Sequence, residues 1–358
     1  MKPTKALHDL GQSLWIDDIT RDMLDSGTLK KYIDELSVTG LTSNPTIFDN
    51  AISKSDNYDP EIKRLSSAGY IGEALFFELA LQDLARAADM FLPAHQRTAS
   101  VDGFVSLEVS PLLAYDTKAT IAEAKRLYAR ANKPNLFIKI PGTQEGLPAI
   151  EEAIFSGITV NVTLLFFSEH CVAAADAYMK GLERRVAAGL DPDVRSVASI
   201  FISRWDKAVL DKVPDDLRDK LGIAAAHQAY RDYRTMLASD RWQRLESLGA
   251  RPQRLLFAST STKDPRAPDT LYVSALAAPN TVNTMPDKTL LAFGDHGKFD
   301  GVLAPDGGNC EQVLAAYEKA GISIAALAAQ LQKEGAASFV SSWQDLLKSI
   351  ATKTKALN

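Results

Sequence analysis

Cysteine is nearly absent: Cys171 and Cys310 are the only two in 358 residues. Two thiols are too few for a disulfide framework or a cysteine-built zinc site. The five histidines (His8, His95, His170, His227 and His296) show no paired ligand spacing, so neither a metal nor another cofactor is expected. A positive excess is missing too. Forty Lys and Arg against 45 Asp and Glu leave a net charge of −5, which offers no basic face for nucleic acid. No apolar run approaches the length that spans a bilayer, so no membrane association is expected. The opening residues Met1-Lys2-Pro3-Thr4-Lys5 lead into mixed polar sequence without a signal core, and a cytoplasmic location is expected. The glycosylation pattern at Asn161-Val162-Thr163 is therefore read as accidental.

What is there is 46% hydrophobic and 24% charged, the balance of a folded globular chain. Short apolar runs alternate with long helical patterns. Strands are expected at 13–17, 38–43, 103–109, 135–140, 157–165, 194–202, 254–259 and 281–285. Between them lie stretches such as 117–132, with Ile121, Ala124, Leu127 and Tyr128 at helical spacing. Strand and helix in alternation argue for parallel pairing through helical crossovers. Eight units closing on themselves make a (β/α)8 barrel, which takes ~250 residues. An open doubly wound sheet is the alternative, but no Gly-x-Gly-x-x-Gly follows the first strand. The surplus falls in a helical insertion at 44–101, including the amphipathic run 73–91, and in a C-terminal extension. That extension reads as helices at 311–319, 324–332 and 339–353, with Gly321 and Gly335 as stops. No linker interrupts the chain, so residues 1–358 are read as one domain.

In a barrel the active site lies at the C-terminal strand ends, and alternate residues point inward. Polar residues cluster at those ends. Lys139 stands in the apolar run Leu136-Phe137-Ile138-Lys139-Ile140, where desolvation disfavours the ammonium and favours the neutral amine that attacks carbonyls. The other strand ends carry Asp17, Asn44, Glu108, Asn161 with Thr163, Ser199 with Arg204, and Ser259 through Lys263. Each has a plainer account. Asp17 fits a helix cap, Asn44-Pro45 a helix entry, Glu108 a solvated strand end, and Arg204 a surface ion pair. Converging on one barrel mouth, these charges would cost several kcal/mol each if they were idle. There is no Gly-x-Ser-x-Gly elbow, Walker loop or His-Glu-x-x-His to suggest other chemistry. Lysine with carboxylates fits imine chemistry on a carbonyl compound.

Three strings carry a family resemblance. Leu41-Thr42-Ser43-Asn44-Pro45-Thr46-Ile47-Phe48 resembles the second-strand motif of the transaldolases. Residues 135–142 resemble the segment of their Schiff-base lysine, and Asn161-Val162-Thr163-Leu164-Leu165-Phe166 is similar to their fifth-strand motif. The likeness runs from about residue 13 to about 297, motifs in order, and the helical elaborations look like those of the larger bacterial subgroup. That subgroup includes forms fused to glucose-6-phosphate isomerase, of which this chain has no part. The resemblance implies a class I aldolase barrel. It further implies transfer of a dihydroxyacetone unit from sedoheptulose 7-phosphate to glyceraldehyde 3-phosphate, giving erythrose 4-phosphate and fructose 6-phosphate in the non-oxidative pentose phosphate pathway.

By the same resemblance Lys139 forms the imine, Asp17 moves the C4 hydroxyl proton, and Glu108 with Thr163 holds a proton-shuttling water. Asn44 and Asn161 would bind the dihydroxyacetone hydroxyls. Ser199 and Phe201 would line the pocket, and Arg204 would grip phosphate. The chain departs from the better-known subgroup after the seventh strand. There Ser259-Thr260-Ser261-Thr262-Lys263, with Arg266 further on, stands where a second phosphate-binding arginine is usual. Ser259 and Lys263 are expected to serve instead. Three other readings remain. A fructose 6-phosphate aldolase would carry glutamine for Glu108 and tyrosine for Phe201. A non-catalytic sugar-phosphate-binding barrel would have lost a reactive position, and a metal-dependent aldolase would need grouped ligands.

Overall fold

Apolar, β-branched runs too short for helices form eight strands in the computed structural model, which describes residues 2–357. They are β1 (Ser13–Ile16), β2 (Val38–Leu41), β3 (Val105–Glu108), β4 (Leu136–Pro141), β5 (Val160–Leu165), β6 (Ser196–Phe201), β7 (Arg254–Ala258) and β8 (Val282–Met285). Each pairs in parallel with the next, and β8 returns to β1, closing a (β/α)8 barrel. All eight runs expected from the sequence are strands, their ends shifted by up to three residues. The trimmed ends matter. β2 ends at Leu41, Thr42 N gives it a last bond to Ile16 O at 2.9 Å, and Ser43 with Asn44 beyond it become part of the mouth of the barrel.

The pleat sorts side chains between two cores. Leu14 and Ile16 face the layer of surrounding helices, while Trp15 turns inward with Phe104, Phe137, Val197, Leu256 and Val282. Phe104 stacks on Phe137 with centroids 4.1 Å apart, and Trp15 lies 6.1 Å from Phe137. Trp15 fits because β2 offers Gly40 opposite it. A Cβ there would stand 2.6 Å from the Phe104 carbonyl oxygen and 2.7 Å from the indole. At the N-terminal end a polar layer closes the barrel. Asp102 accepts from Ser13 Oγ and from Trp15 Nε1 at 2.8 Å, and Arg254 donates to Ser13 Oγ at 2.8 Å and Thr281 O at 2.7 Å.

Between β2 and β3 stand the helices Pro45–Ser53, Asp59–Ser67 and Gly72–Arg97, the insertion read from the sequence. The C-terminal extension differs from that reading in one respect. Gly335 ends nothing: a single helix runs Ile324–Leu357. Glycine inside a helix costs about 1 kcal/mol against alanine, yet here the helix crosses the mouth of β5. A Cβ on Gly335 would meet Leu164 Cδ2 at 3.0 Å and the Phe166 ring at 3.3 Å, so close approach, not termination, explains the residue. The far half of the helix packs on the insertion, where Trp343 donates to Glu73 at 2.8 Å and Lys353 meets Asp59 at 2.6 Å. Among the described residues no helix is long and apolar enough to cross a membrane.

Candidate active site

Parallel register sets three inward side chains in one row: Glu108 pairs with Lys139, and Lys139 with Asn161. Lys139 is 4% exposed. Its Nζ donates to the Ser43 carbonyl at 2.9 Å and lies 3.1 Å from Glu108 Oε2. Apart from that contact, neither Glu108 oxygen has a hydrogen-bond partner among the described residues. Burial pushes the Glu108 carboxyl above the usual carboxylate range, against the pull of Lys139. Such a group is ready to take a proton from its neighbour. The surface-glutamate account of Glu108 fails on burial alone.

Asp17 follows β1 and looks into the mouth. It caps no helix: Thr20 accepts from Met23 N instead, while Asp17 Oδ1 accepts from Thr42 Oγ1 at 2.6 Å. Burial raises its carboxyl too, opposed by Thr42, Lys139 and Lys263. Beside it Asp18 is pushed up to about 6 by burial and by the charges of Asp17 and Asp287. Asn44 does cap the helix Pro45–Ser53, Oδ1 accepting from Ile47 N at 3.1 Å, and also borders the cavity. Both accounts of Asn44 hold at once, since capping occupies only one end of the amide.

Asn161 is fully buried one layer down, its Nδ2 donating to Ser106 Oγ at 3.2 Å and its Oδ1 accepting from Ser199 Oγ at 2.7 Å. Thr163 Oγ1 is buried without a partner among the described residues. Glu108 Oε1, with no partner, Oε2, with only Lys139 near it, and the Thr163 hydroxyl leave the row under the mouth short of hydrogen bonds, which is costly unless a ligand or water meets them.

A cavity of about 510 Å³ opens above this row. Lys139, Asp17, Asn44, Thr163, Ser199 and Phe201 border it, and Arg204, Ser259 and Lys263 stand along one side. Phe201 stacks on Phe166 at 5.3 Å, and the Arg204 guanidinium lies 5.3 Å over the Phe201 ring. Arg204 makes no direct ion pair among the described residues; Glu334 acts on it only from further off, and its guanidinium packs over rings instead, so the surface-pair account of it fails. Ser259 has a left-handed backbone (φ 56°) and its hydroxyl pairs with Ser203 Oγ at 2.9 Å. Burial and the neighbouring cations Lys207 and Arg204 hold the Lys263 ammonium below the usual lysine range. Three cations thus gather here with Glu334 as a nearby carboxylate, an arrangement chemically suited to an anion. Arg266 is no part of it, being paired with Asp215 at 3.1 Å and Asp264.

The strands and the loops that follow them therefore bring together every residue singled out from the sequence, with Glu108 and Asn161 beneath the cavity and not on its wall. Sequence reasoning missed Asp18, Lys207 and Phe339. Lys207 had a usable signal, since it sits three residues after Arg204 at the start of the helix Ser203–Val209. Phe339 had none. It comes from the C-terminal helix, about 200 residues from Lys139 in sequence, yet its ring centroid is 5.9 Å from Lys139 Nζ.

Known proteins resemble this chain over nearly its whole length. Residues 14–350 match the family described as transaldolase/fructose-6-phosphate aldolase. A protein named transaldolase from Arthrobacter sp. (strain FB24) is 46% identical, over 96% of this chain and 95% of that one. Proteins of the same name from Parafrankia sp. (strain EAN1pec) and Thermobifida fusca (strain YX) are 45% and 44% identical. They cover 98% and 99% of this chain, and 97% and 99% of their own lengths.

Proposed function

We propose, because this chain belongs to the transaldolase/fructose-6-phosphate aldolase family, that it transfers a dihydroxyacetone unit between sugar phosphates through an imine on Lys139. The observation that carries this reading is the buried Lys139–Glu108 contact at 3.1 Å beneath a cavity that Asp17 also borders. Glu108, its carboxyl raised by burial, takes a proton from the ammonium, and the neutral amine attacks C2 of the ketose phosphate. Carbinolamine collapse releases water, with Glu108 and Thr163 passing protons through a bridging water. Asp17 then accepts the C4 hydroxyl proton. The C3–C4 bond breaks, the aldose phosphate leaves, and the electron pair moves onto the imine as an enamine. The acceptor aldehyde reverses these steps, with Asp17 returning the proton.

Asn44 and Asn161 hold the hydroxyls of the three-carbon unit, while Ser199 and Phe201 shape its pocket. Asn161 spends one Nδ2 hydrogen on Ser106, which leaves the other for a ligand. Arg204, Ser259 and Lys263 bind the phosphate, with lysine as a point charge where arginine would form a fork. Sugar phosphates entering a cytoplasmic pool, at sedoheptulose 7-phosphate and glyceraldehyde 3-phosphate, complete the reading. The family also includes fructose 6-phosphate aldolases, which release free dihydroxyacetone. The carboxylate at Glu108 and the unhydroxylated ring at Phe201 favour transfer.

A coupled assay with sedoheptulose 7-phosphate, with and without glyceraldehyde 3-phosphate, tests the proposal. Sustained formation of erythrose 4-phosphate and fructose 6-phosphate is expected only with the acceptor. Equal turnover without acceptor would make the protein an aldolase, and no turnover would leave a binding barrel.

A further inference from the structure

Every group assigned above comes from the strands, the loops that follow them or the short helix Ser203–Val209 after β6; the C-terminal helix supplies one more. Gln332, Gly335, Phe339 and Trp343 recur every three or four residues, so they form one stripe on the helix Ile324–Leu357. Gln332 Nε2 donates to two strand-end carbonyls, Gly142 O at 3.1 Å and Leu164 O at 3.0 Å. Gly335 permits contact with Leu164 and Phe166, and Trp343 is held by Glu73. Between these anchors Phe339, 4% exposed, reaches the cavity. Its centroid is 5.9 Å from Lys139 Nζ, 5.9 Å from the Arg204 guanidinium and 6.4 Å from the Phe201 ring.

An apolar ring beside the reacting nitrogen has two physical effects. It favours a cation there, which is what the protonated imine is. It also excludes water from the adjoining carbon. Water decides the fate of the enamine. A proton delivered to its nucleophilic carbon gives the imine of dihydroxyacetone, and one water then hydrolyses that imine to free ketone and the lysine amine. An aldehyde at the same carbon gives transfer instead.

Resting on the transfer reading, we propose that Phe339 is a specificity residue: it shields the enamine carbon from water and so commits the bound three-carbon unit to an aldehyde acceptor. The C-terminal helix is thereby part of the active site.

The test measures, in the full-length enzyme, free dihydroxyacetone released per three-carbon unit transferred from fructose 6-phosphate to erythrose 4-phosphate. Phe339→Ala should raise that ratio by about tenfold, the effect of a 1.4 kcal/mol change in relative barriers. Phe339→Leu, which keeps most of the apolar volume, should raise it less and guards against misfolding of the alanine variant. Gln332→Leu, which frees the helix from the strand ends, should move the ratio in the same direction. Unchanged ratios in both Phe339 variants, whatever happens to total rate, would overturn the proposal by reducing Phe339 to packing. Absence of transfer in the unsubstituted enzyme would instead remove the reading on which it rests.

Discussion

Burial is what distinguishes Glu108 and Asp17 from the many carboxylates on the surface. Glu108 and Asp17 are both raised by desolvation, and each faces Lys139, which opposes the shift. From the sequence their identities were readable because inward positions alternate along a strand and the mouth collects strand ends. Their protonation was not readable, since it depends on what surrounds them. Asp18 illustrates the point. It follows Asp17 directly, yet only its neighbours Asp17 and Asp287 and its burial push it up to about 6. Between the ordinary value of 3.8 and about 6 the folded chain keeps a proton that the unfolded chain has lost. The stability this contributes is greatest at the acid end and disappears as pH rises through about 6. Asp18→Asn should therefore be more stable than the parent at pH 8 by about 1 kcal/mol, discounted for partial solvent access, with no gain near pH 4. Urea denaturation at the two pH values measures the difference.

Elements were legible where local pattern decides them. Eight apolar runs became eight strands, and the helix expected at 117–132 is Thr117–Ala131. Strand ends were less legible, because Thr42 and Ser43 satisfy strand propensity but stand beyond the end of β2, where they bind Asp17 and offer a carbonyl to Lys139. Gly335 was misread as a stop because a glycine that ends a helix and one that lets a helix touch a strand look alike in sequence. Gly40 makes the same argument inside the barrel. It sits in β2 because Trp15 occupies the space its Cβ would need. Gly40→Ala should destabilise the fold by about 1–3 kcal/mol through overpacking, despite alanine's smaller entropy cost. A thermal shift of a few degrees downward is the expected reading; an upward shift would show that Trp15 can move aside.

At the scale of the whole molecule, charge is unevenly spread. The chain carries −5 overall, yet Arg204, Lys207 and Lys263 gather beside one wall of the mouth. A local cationic site in an anionic protein draws phosphate by short-range contact more than by steering. Lys263→Ala should raise KM for sedoheptulose 7-phosphate about tenfold and leave KM for unphosphorylated fructose as a donor nearly unchanged. Equal effects on both donors would remove Lys263 from the phosphate site. Closure of the barrel also explains why the site is assembled from so many elements: β3, β4, β5 and β6 each bring one or two groups, the turns after β1, β2 and β7 bring others, and a helix from the far end of the chain brings Phe339. Sequence motifs could mark the strand contributions because each sits in a short local string. The helix contribution depends on tertiary packing alone.

In the proposed mechanism Lys139 holds the substrate covalently. Borohydride reduction in the presence of fructose 6-phosphate, followed by peptide mass mapping, tests for that bond. A reduced three- or six-carbon adduct on the peptide containing Lys139 is expected. Asp17→Asn should form the six-carbon adduct while turnover falls by roughly 10²–10⁴, because imine formation precedes the step that needs the base. An enzyme that turns over fully but yields no adduct at Lys139, or yields it on another lysine, would rule out an imine on Lys139.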